Sequence, residues 1–486
     1  MQCDNRRFTP ADLQPVVMPM PLALGTFIVP LIVACAMFME NMDGTVIVTS
    51  LPVLARDLGQ DPITLKLAVT AYVIGLGVFI PICGWVADRF GSRTVFRTAI
   101  GIFMAGSLMC AASTSLDTFV VARFVQGVGG AMMVPVGRII IFRSVPKSDF
   151  IRAVNYLTVP ALLGPVVGPP LGGFITTYLH WRLIFFINIP IGLLGIWLAN
   201  RHIANVREAH PGRLDWTGFA MSASGAALFM LGLSLIGGEL VSNTVSISMC
   251  VIGVVLLGMY TLYANRVELP VLDLRLLRIP SFHASVVGGS LFRIGLGAVP
   301  FLLPLALQEG LGMTAFKSGS ITCASAFGSL FMKAAASRIL GRFGFRTVLM
   351  FNAGCAGLAI AVYGLFFPGT PHWLIWCVVL FGGFFPSLQF TSLNSLAYAD
   401  IPSRDVGRAT SVASVIQQLS LGLGVTIGGI VLQISHNVQG HSTIVFSDFW
   451  PAFLVVGLFS VLSIPVTARL PQGAGDEIAR GARGSV

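Results

Sequence analysis

Long apolar runs separated by short polar turns follow one another through almost the whole chain, and no segment shows strict apolar/polar alternation. A helix needs about 20 apolar residues to cross roughly 30 Å of hydrocarbon, whereas alternation over about ten residues would signal a barrel strand. The pattern predicts an all-α integral membrane protein with about 14 spans. They fall near 25–51, 67–87, 95–113, 118–142, 152–177, 181–200, 216–237, 244–264, 282–307, 317–338, 347–367, 372–395, 409–435 and 448–468.

Composition agrees with this reading: of 486 residues 55% are hydrophobic and 10% charged, and the mean hydropathy is +0.85, far from the mix of a soluble domain. The formal charge of +10 is a matter of topology. Roughly 22 of the 30 Lys and Arg fall in one set of loops and tails and about 4 in the other, which places both termini in the cytoplasm. The charges are dispersed in twos and threes, so no nucleic-acid partner is expected. Segment 1–22 lacks the apolar core and cleavage site of a secretory signal, and the first span is expected to insert itself into the cytoplasmic (inner) membrane. Seven of the eight Cys lie in predicted spans at irregular spacing, which makes neither a disulfide framework nor a metal site.

A turn is written twice, as DRFGSRTV at 88–95 and GRFGFRTV at 341–348, an offset of 253. An offset of 256 lays VPKSDFIRA (145–153) on IPSRDVGRA (401–409) and Gly172 and Gly173 on Gly428 and Gly429. The chain therefore reads as two pseudo-symmetric six-helix bundles, 25–200 and 282–468. Between them lies a segment with two inserted helices, 201–281, and the tails are 1–24 and 469–486. Parallel repeats of this kind belong to rocking carriers that hold a small-molecule substrate where the halves meet.

GWVADRFGSRTV (84–95) and RFVQGVGGA (123–131) resemble the cytoplasmic-loop and fourth-span signatures of the major facilitator superfamily. GPVVGPPLGG (164–173) resembles its fifth-span antiporter signature. WRLIFFINIPIG (181–192), LDWTG (214–218) and MDGTVIVTSLP (42–52) resemble the fourteen-span drug:proton antiporter branch of EmrB/QacA type. GGAMMVPVGR (130–139) is similar to the MdtD-like group of multidrug transporters within it. The resemblance runs through nearly the whole chain and implies a major facilitator fold, multidrug efflux with antibiotic resistance, no cofactor, and a proton gradient as energy source. Ser92 departs from the loop signature, which usually carries a basic residue there. An accessory export partner is left open.

The residues themselves give a second line of argument. In the loop, Gly84 suits close helix approach and Gly91 a left-handed turn, while Asp88 is placed to accept from Arg89, Arg93 or a neighbouring helix N-terminus. Such a pair, formed in one state and broken in the other, would bias a rocking equilibrium; Gly341 replaces the acid in the second copy. Gly164, Gly168 and Gly172 recur every four positions on one helix face, and Pro165, Pro169 and Pro170 interrupt the hydrogen-bond ladder beside them. This face either simply packs or seals the pathway.

Glu40 and Asp43 are the acids deep inside a predicted span, three residues apart on neighbouring positions of one face. A buried carboxylate is expensive and marks an ion path, and moving it between wet and shielded surroundings would load and unload a proton. Arg123 stands at a depth matching Asp43, and the family resemblance implicates it in proton transfer. The 253 offset maps Arg293 onto Glu40, suggesting partners across a central cavity. Arg138 and Lys333 read as snorkelling groups near cytoplasmic ends, and the seven His lie at span ends or in loops, against a His relay. Gln126, Asn155, Gln389, Asn394, Gln417 and Gln418 are uncharged polar groups that line the cavity or bridge helices.

The leading expectation is a proton-coupled exporter of hydrophobic or amphiphilic compounds. A proton-linked exporter of one specific, anionic metabolite is the alternative. A membrane-embedded enzyme or sensor would need a catalytic constellation or a sizeable soluble domain, and the sequence offers neither.

Overall fold

A computed structural model describes residues 22–145, 150–208, 212–238, 240–402, 405–441 and 443–471, and the side chains of 22–27, 150–159, 161 and 162 are outside that description. Among the described residues the chain is helical throughout. The first bundle comprises α1 (Leu22–Asp57), α2 (Lys66–Phe90), α3 (Ser92–Ala112), α4 (Leu116–Ser144), α5 (Phe150–Tyr178) and α6 (Leu183–His202). Two inserted helices follow, α7 (Trp216–Leu235) and α8 (Asn243–Ala264). The second bundle comprises α9 (Pro280–Gly310), α10 (Ala315–Phe343), α11 (Phe345–Tyr363), α12 (His372–Ala397), α13 (Val406–Gln439) and α14 (Phe446–Thr467).

In hydrocarbon the backbone must satisfy its own hydrogen bonds, so each apolar run closes into helix and the polar residues between runs stop or cap it. Ser115 and Thr118 form a capping box at the start of α4, and Ser242, Asp215 and Thr314 cap α8, α7 and α10. The repeated turn is one glycine long in both copies: Gly91 (φ 90°) separates α2 from α3 and Gly344 (φ 73°) separates α10 from α11. Both sit where a side chain is strained, which explains why the motif keeps Gly at these two positions.

Packing repeats with the sequence. In the first bundle α1 packs on α5 and α6, α4 on α2 and α3, and α3 on α6; in the second, α9 packs on α13 and α14, α12 on α10 and α11, and α11 on α14. The halves meet along α5·α10 and α2·α13, with α1 against α9. Fourteen crossings return the chain to the face it started from, called here the terminal face.

The Gly/Pro stripe of α5 lies against α1. A Cβ on Gly164 would meet Met42 N at 2.9 Å, one on Gly172 would meet Val46 O at 2.7 Å, and one on Gly168 would overlap the Thr45 hydroxyl. The next glycine, Gly173, faces Ala315 of α10 across the seam between the halves. Helix α5 runs on through Pro160, Pro165, Pro169 and Pro170. Helix α7 covers the other seam, where Ser234 bonds both Thr70 of α2 (3.1 Å) and Thr426 of α13 (2.9 Å).

Polar ties between the halves cluster at the face opposite the terminal one. Arg56 pairs with Glu309 at 2.7 Å, Gln308 donates to the Thr49 carbonyl at 2.8 Å, the Phe316 amide donates to Thr177 Oγ1 at 3.0 Å, and Lys66 Nζ reaches Gln433 Oε1 at 3.4 Å. Phe174, Tyr178 and Phe316 stack edge to face beside them. The seam is shut at this far face.

Candidate functional site

Asp43 lies midway along α1 and is 1% exposed, walled by α2, α3, α4 and α6. Water is replaced there by three side-chain donors. Arg123 Nη1 donates to Oδ2 at 2.6 Å, and Gln126 Nε2 and Asn188 Nδ2 donate to Oδ1 at 2.8 and 3.0 Å. Ser107 Oγ accepts from the same two amides at 2.8 and 3.1 Å, and Arg123 Nη1 also bonds Gln126 Oε1 at 2.5 Å. The Arg123 guanidinium lies over the Tyr72 ring, 4.4 Å from its centroid. A buried ion pair offsets its desolvation only when its remaining polar atoms are bonded, and this network bonds nearly all of them. What it leaves open are Arg123 Nε, Asn188 Oδ1 and Tyr72 Oη.

Glu40, one turn nearer the terminal face, differs. It is half-buried, its Oε2 is buried without a hydrogen-bond partner among the described residues, and the nearby charges include Arg138 and Asp43. Its carboxyl and the Tyr72 hydroxyl converge at Gly130, where an added Cβ would lie 3.8 Å from Glu40 Cδ and 3.2 Å from Tyr72 Oη. The carboxyl of Glu40 thus sits between the sealed Asp43 and the terminal face.

Between the halves is a cavity of about 480 Å³ lined from α1, α5, α9, α10 and α12. Its walls include Thr45, Pro165, Pro169, Phe390, Asn394 and Lys333.

Several sequence expectations are corrected. Arg293 does not meet Glu40: its Nη1 donates to the Ser285 carbonyl at 3.4 Å and its guanidinium lies 5.6 Å from the Phe390 ring, because α9 turns this side chain into its own bundle. Of the neutral groups read as lining the cavity or bridging helices, Gln126 bridges, joining α4 to Asp43 of α1, and Gln417 is half-buried on α13 away from the cavity wall. Asn155 lies outside the described side chains. Asp88 pairs with Arg143 of α4 at 2.7 Å, where Arg89, Arg93 or a neighbouring helix N-terminus was expected; Arg89 is exposed and Arg93 donates to the Ile203 carbonyl at 3.4 Å. The reason is the segment after α6, which docks on the loop through Val206 O to Ser92 N (3.0 Å) and Asp88 O to Glu208 N (3.0 Å). Gly84 has no neighbour within 4 Å of a built Cβ, so it faces open space where close helix approach was expected. Lys333 lines the cavity, where helix-end snorkelling was expected.

Tyr72, Ser107 and Asn188 escaped the sequence reading because neutral polar residues are common in spans, although Asn188 stands in the WRLIFFINIPIG motif. Asp448 escaped as well: at the start of α14 it is fully buried between His436 and His441, 3.0 and 2.9 Å away.

Comparison with known proteins places this geometry. The family model "Major Facilitator Superfamily" matches residues 33–424 and again 285–480. "Probable transport protein HsrA" of Haemophilus influenzae is 36% identical over 448 residues, 92% of this chain and 96% of the relative. "Putative multidrug resistance protein MdtD" of Serratia proteamaculans is 36% identical over 446 residues, 90% of this chain and 92% of the relative. The crystal structure of a D-xylose-proton symporter superposes with a TM-score of 0.67 at 15% identity, covering 92% of this chain and 99% of its own. At that identity the likeness speaks for the fold alone. Two repeated six-helix bundles around a shared cavity, a family match over most of the chain and relatives at this identity have one meaning: the chain is a multi-pass membrane transporter of small molecules and belongs to the Major Facilitator Superfamily.

Proposed function

We propose that this transporter is a proton-coupled antiporter of the cytoplasmic membrane, with both termini in the cytoplasm, exporting hydrophobic or amphiphilic compounds by alternating access. The observation that carries this reading is the Asp43 carboxylate, sealed in the first bundle and held by Arg123, Gln126 and Asn188. Protonating Asp43 removes the negative half of a buried ion pair. Breaking such a pair by removing one partner costs about 3–5 kcal/mol, enough to invert a two-state equilibrium. With the far face shut, the ion pair stands for the deprotonated form, and Glu40 offers a relay from Asp43 toward the terminal face. Once the far face opens, a proton entering from outside would release Arg123 from Asp43 and favour return. The relatives named for multidrug resistance favour efflux as the direction.

The test is transport in proteoliposomes under an imposed pH gradient, with cationic, neutral and anionic compounds. Asp43→Asn is expected to abolish gradient-driven export while the protein remains inserted and monodisperse; full export by that variant would overturn the coupling role. Mutual competition between chemically unlike substrates separates multidrug export from export of one metabolite.

A further inference from the structure

The cavity between the halves has an electrostatic character that the coupling site does not explain. Among the described residues that line it, Lys333 carries the one charge, and no carboxylate faces the space. Asp43 lies close by in sequence to the wall residue Thr45 but is sealed inside the first bundle by its own donors. Lys333 stands ten residues before the end of α10 at Phe343, about 15 Å of helix rise from it. It has no ion-pair or hydrogen-bond partner among the described residues, and it is exposed into the cavity.

The other polar groups of the wall divide by what they offer. The hydroxyls of Thr322, Ser325, Ser329, Ser387 and Thr391 donate to backbone carbonyls at 2.7–3.2 Å. Hydroxyls committed in that way have no proton left for a ligand. The donors left without a partner among the described residues are the Lys333 ammonium and the Asn394 amide, both on the side of the cavity nearer the terminal face, and the neutral Thr49 hydroxyl toward the far face. The rest of the wall is apolar, with Leu296, Val299, Leu303 and Phe390 among it. A cavity of about 480 Å³ is of the size that encloses a drug-sized molecule.

We infer that Lys333 makes this cavity selective for amphiphilic anions, an apolar body against α9 and a carboxylate, sulfonate or similar head against Lys333 and Asn394. The inference rests on the reading of the cavity as the transport site, and it names the class of substrate. A lipophilic cation entering the same space would find a like charge and no carboxylate to neutralise it, so selection works by repulsion as well as attraction.

The test uses two probes of the same shape and opposite charge, tetraphenylborate and tetraphenylphosphonium, bound at equilibrium to the full chain in nanodiscs with empty discs subtracted. No gradient is applied, so a failure of proton coupling leaves this measurement untouched. Because the anion enters lipid more readily, the readout is the change in the borate-to-phosphonium affinity ratio from wild type to variant. Lys333→Met is expected to lower that ratio about tenfold or more, Lys333→Arg to retain it, and Lys333→Glu to lower it further, toward preference for the cation. An unchanged ratio in folded Lys333→Met would overturn the inference. A measurement on the wild-type chain stands beside these should the variants fail to fold. Tetraphenylborate is expected to protect Lys333 from amine acetylation, read by mass spectrometry, more than tetraphenylphosphonium does; equal protection by both would also overturn it.

Discussion

The two bundles share their helix packing but not their polar cores, and the contrast separates what the fold requires from what the chemistry requires. In the first bundle α3 and α4 enclose Ser107, Arg123 and Gln126 around the Asp43 carboxylate. In the second, the equivalent helices α11 and α12 enclose an amide pair: Asn352 Nδ2 donates to Gln389 Oε1 and to the Phe385 carbonyl, each at 2.8 Å. Arg293, the buried cation of that half, has no carboxylate to pair with among the described residues. Both halves place a polar bridge between these helices; among the described residues, the bridge in the first includes a charge pair, Asp43 with Arg123, and the bridge in the second is neutral.

The contrast predicts unequal costs. Arg123→Ala leaves Asp43 buried without its counter-charge and is expected to cost about 3–5 kcal/mol, read as a large drop in thermal or denaturant midpoint. Arg293→Met is expected to cost far less, and a loss as large as that of Arg123→Ala would break the contrast.

Next in size is the amide pair. Asn352→Leu or Gln389→Leu alone strands a buried polar partner, at about 1–3 kcal/mol, whereas the double substitution recovers most of the loss because nothing is left unpaired. Gradient-driven transport is expected to survive the double change. A coupling defect in it would place part of the proton chemistry in the second half.

The smallest expected effect lies outside the spans, at Asp273 in the segment before α9. Burial pushes the Asp273 carboxyl up, but hydrogen bonds from the side chain and backbone of Arg275 and the charges of Arg275 and Arg408 outweigh it and hold the group below its ordinary 3.8. A depressed carboxylate stabilises the folded chain above its unfolded value, and that contribution fades as pH falls through the folded one. Asp273→Asn should therefore lower the melting temperature slightly at neutral pH, and the gap from wild type should close as pH drops below about 4. A gap that persists there would mean that Asp273 acts by shape and not by charge.

Much of the fold was legible because membrane helices are written in composition: the apolar runs and the twice-written turn predict fourteen helices, and the described residues hold fourteen long helices, twelve of them apolar enough to count as spans by themselves. The glycine stripe of α5 was legible too, since spacing by four leaves no other arrangement on a helix. Side-chain direction was much less so. Arg293 sits at the register of Glu40 yet turns into its own bundle, and Asp88 finds its partner on α4 because the segment after α6 closes over the loop. Rise along a helix fixes depth, so Arg123 could be set level with Asp43; rotation about the axis depends on which neighbour offers room, and Lys333 was misjudged on that account. Neutral members such as Asn188 carry no signal until a carboxylate is seen beside them.

The hydroxyl of Ser234, bonded at once to Thr70 and Thr426, bears on what the two inserted helices do for the bundles they join. Short hydroxyls swivel without losing contact, a joint that would let α7 follow both bundles like a bearing under the alternating access proposed above. Excising the α7–α8 hairpin would turn two threonine side chains of that joint toward lipid tails, and the shortened chain would need new residues there before it could work.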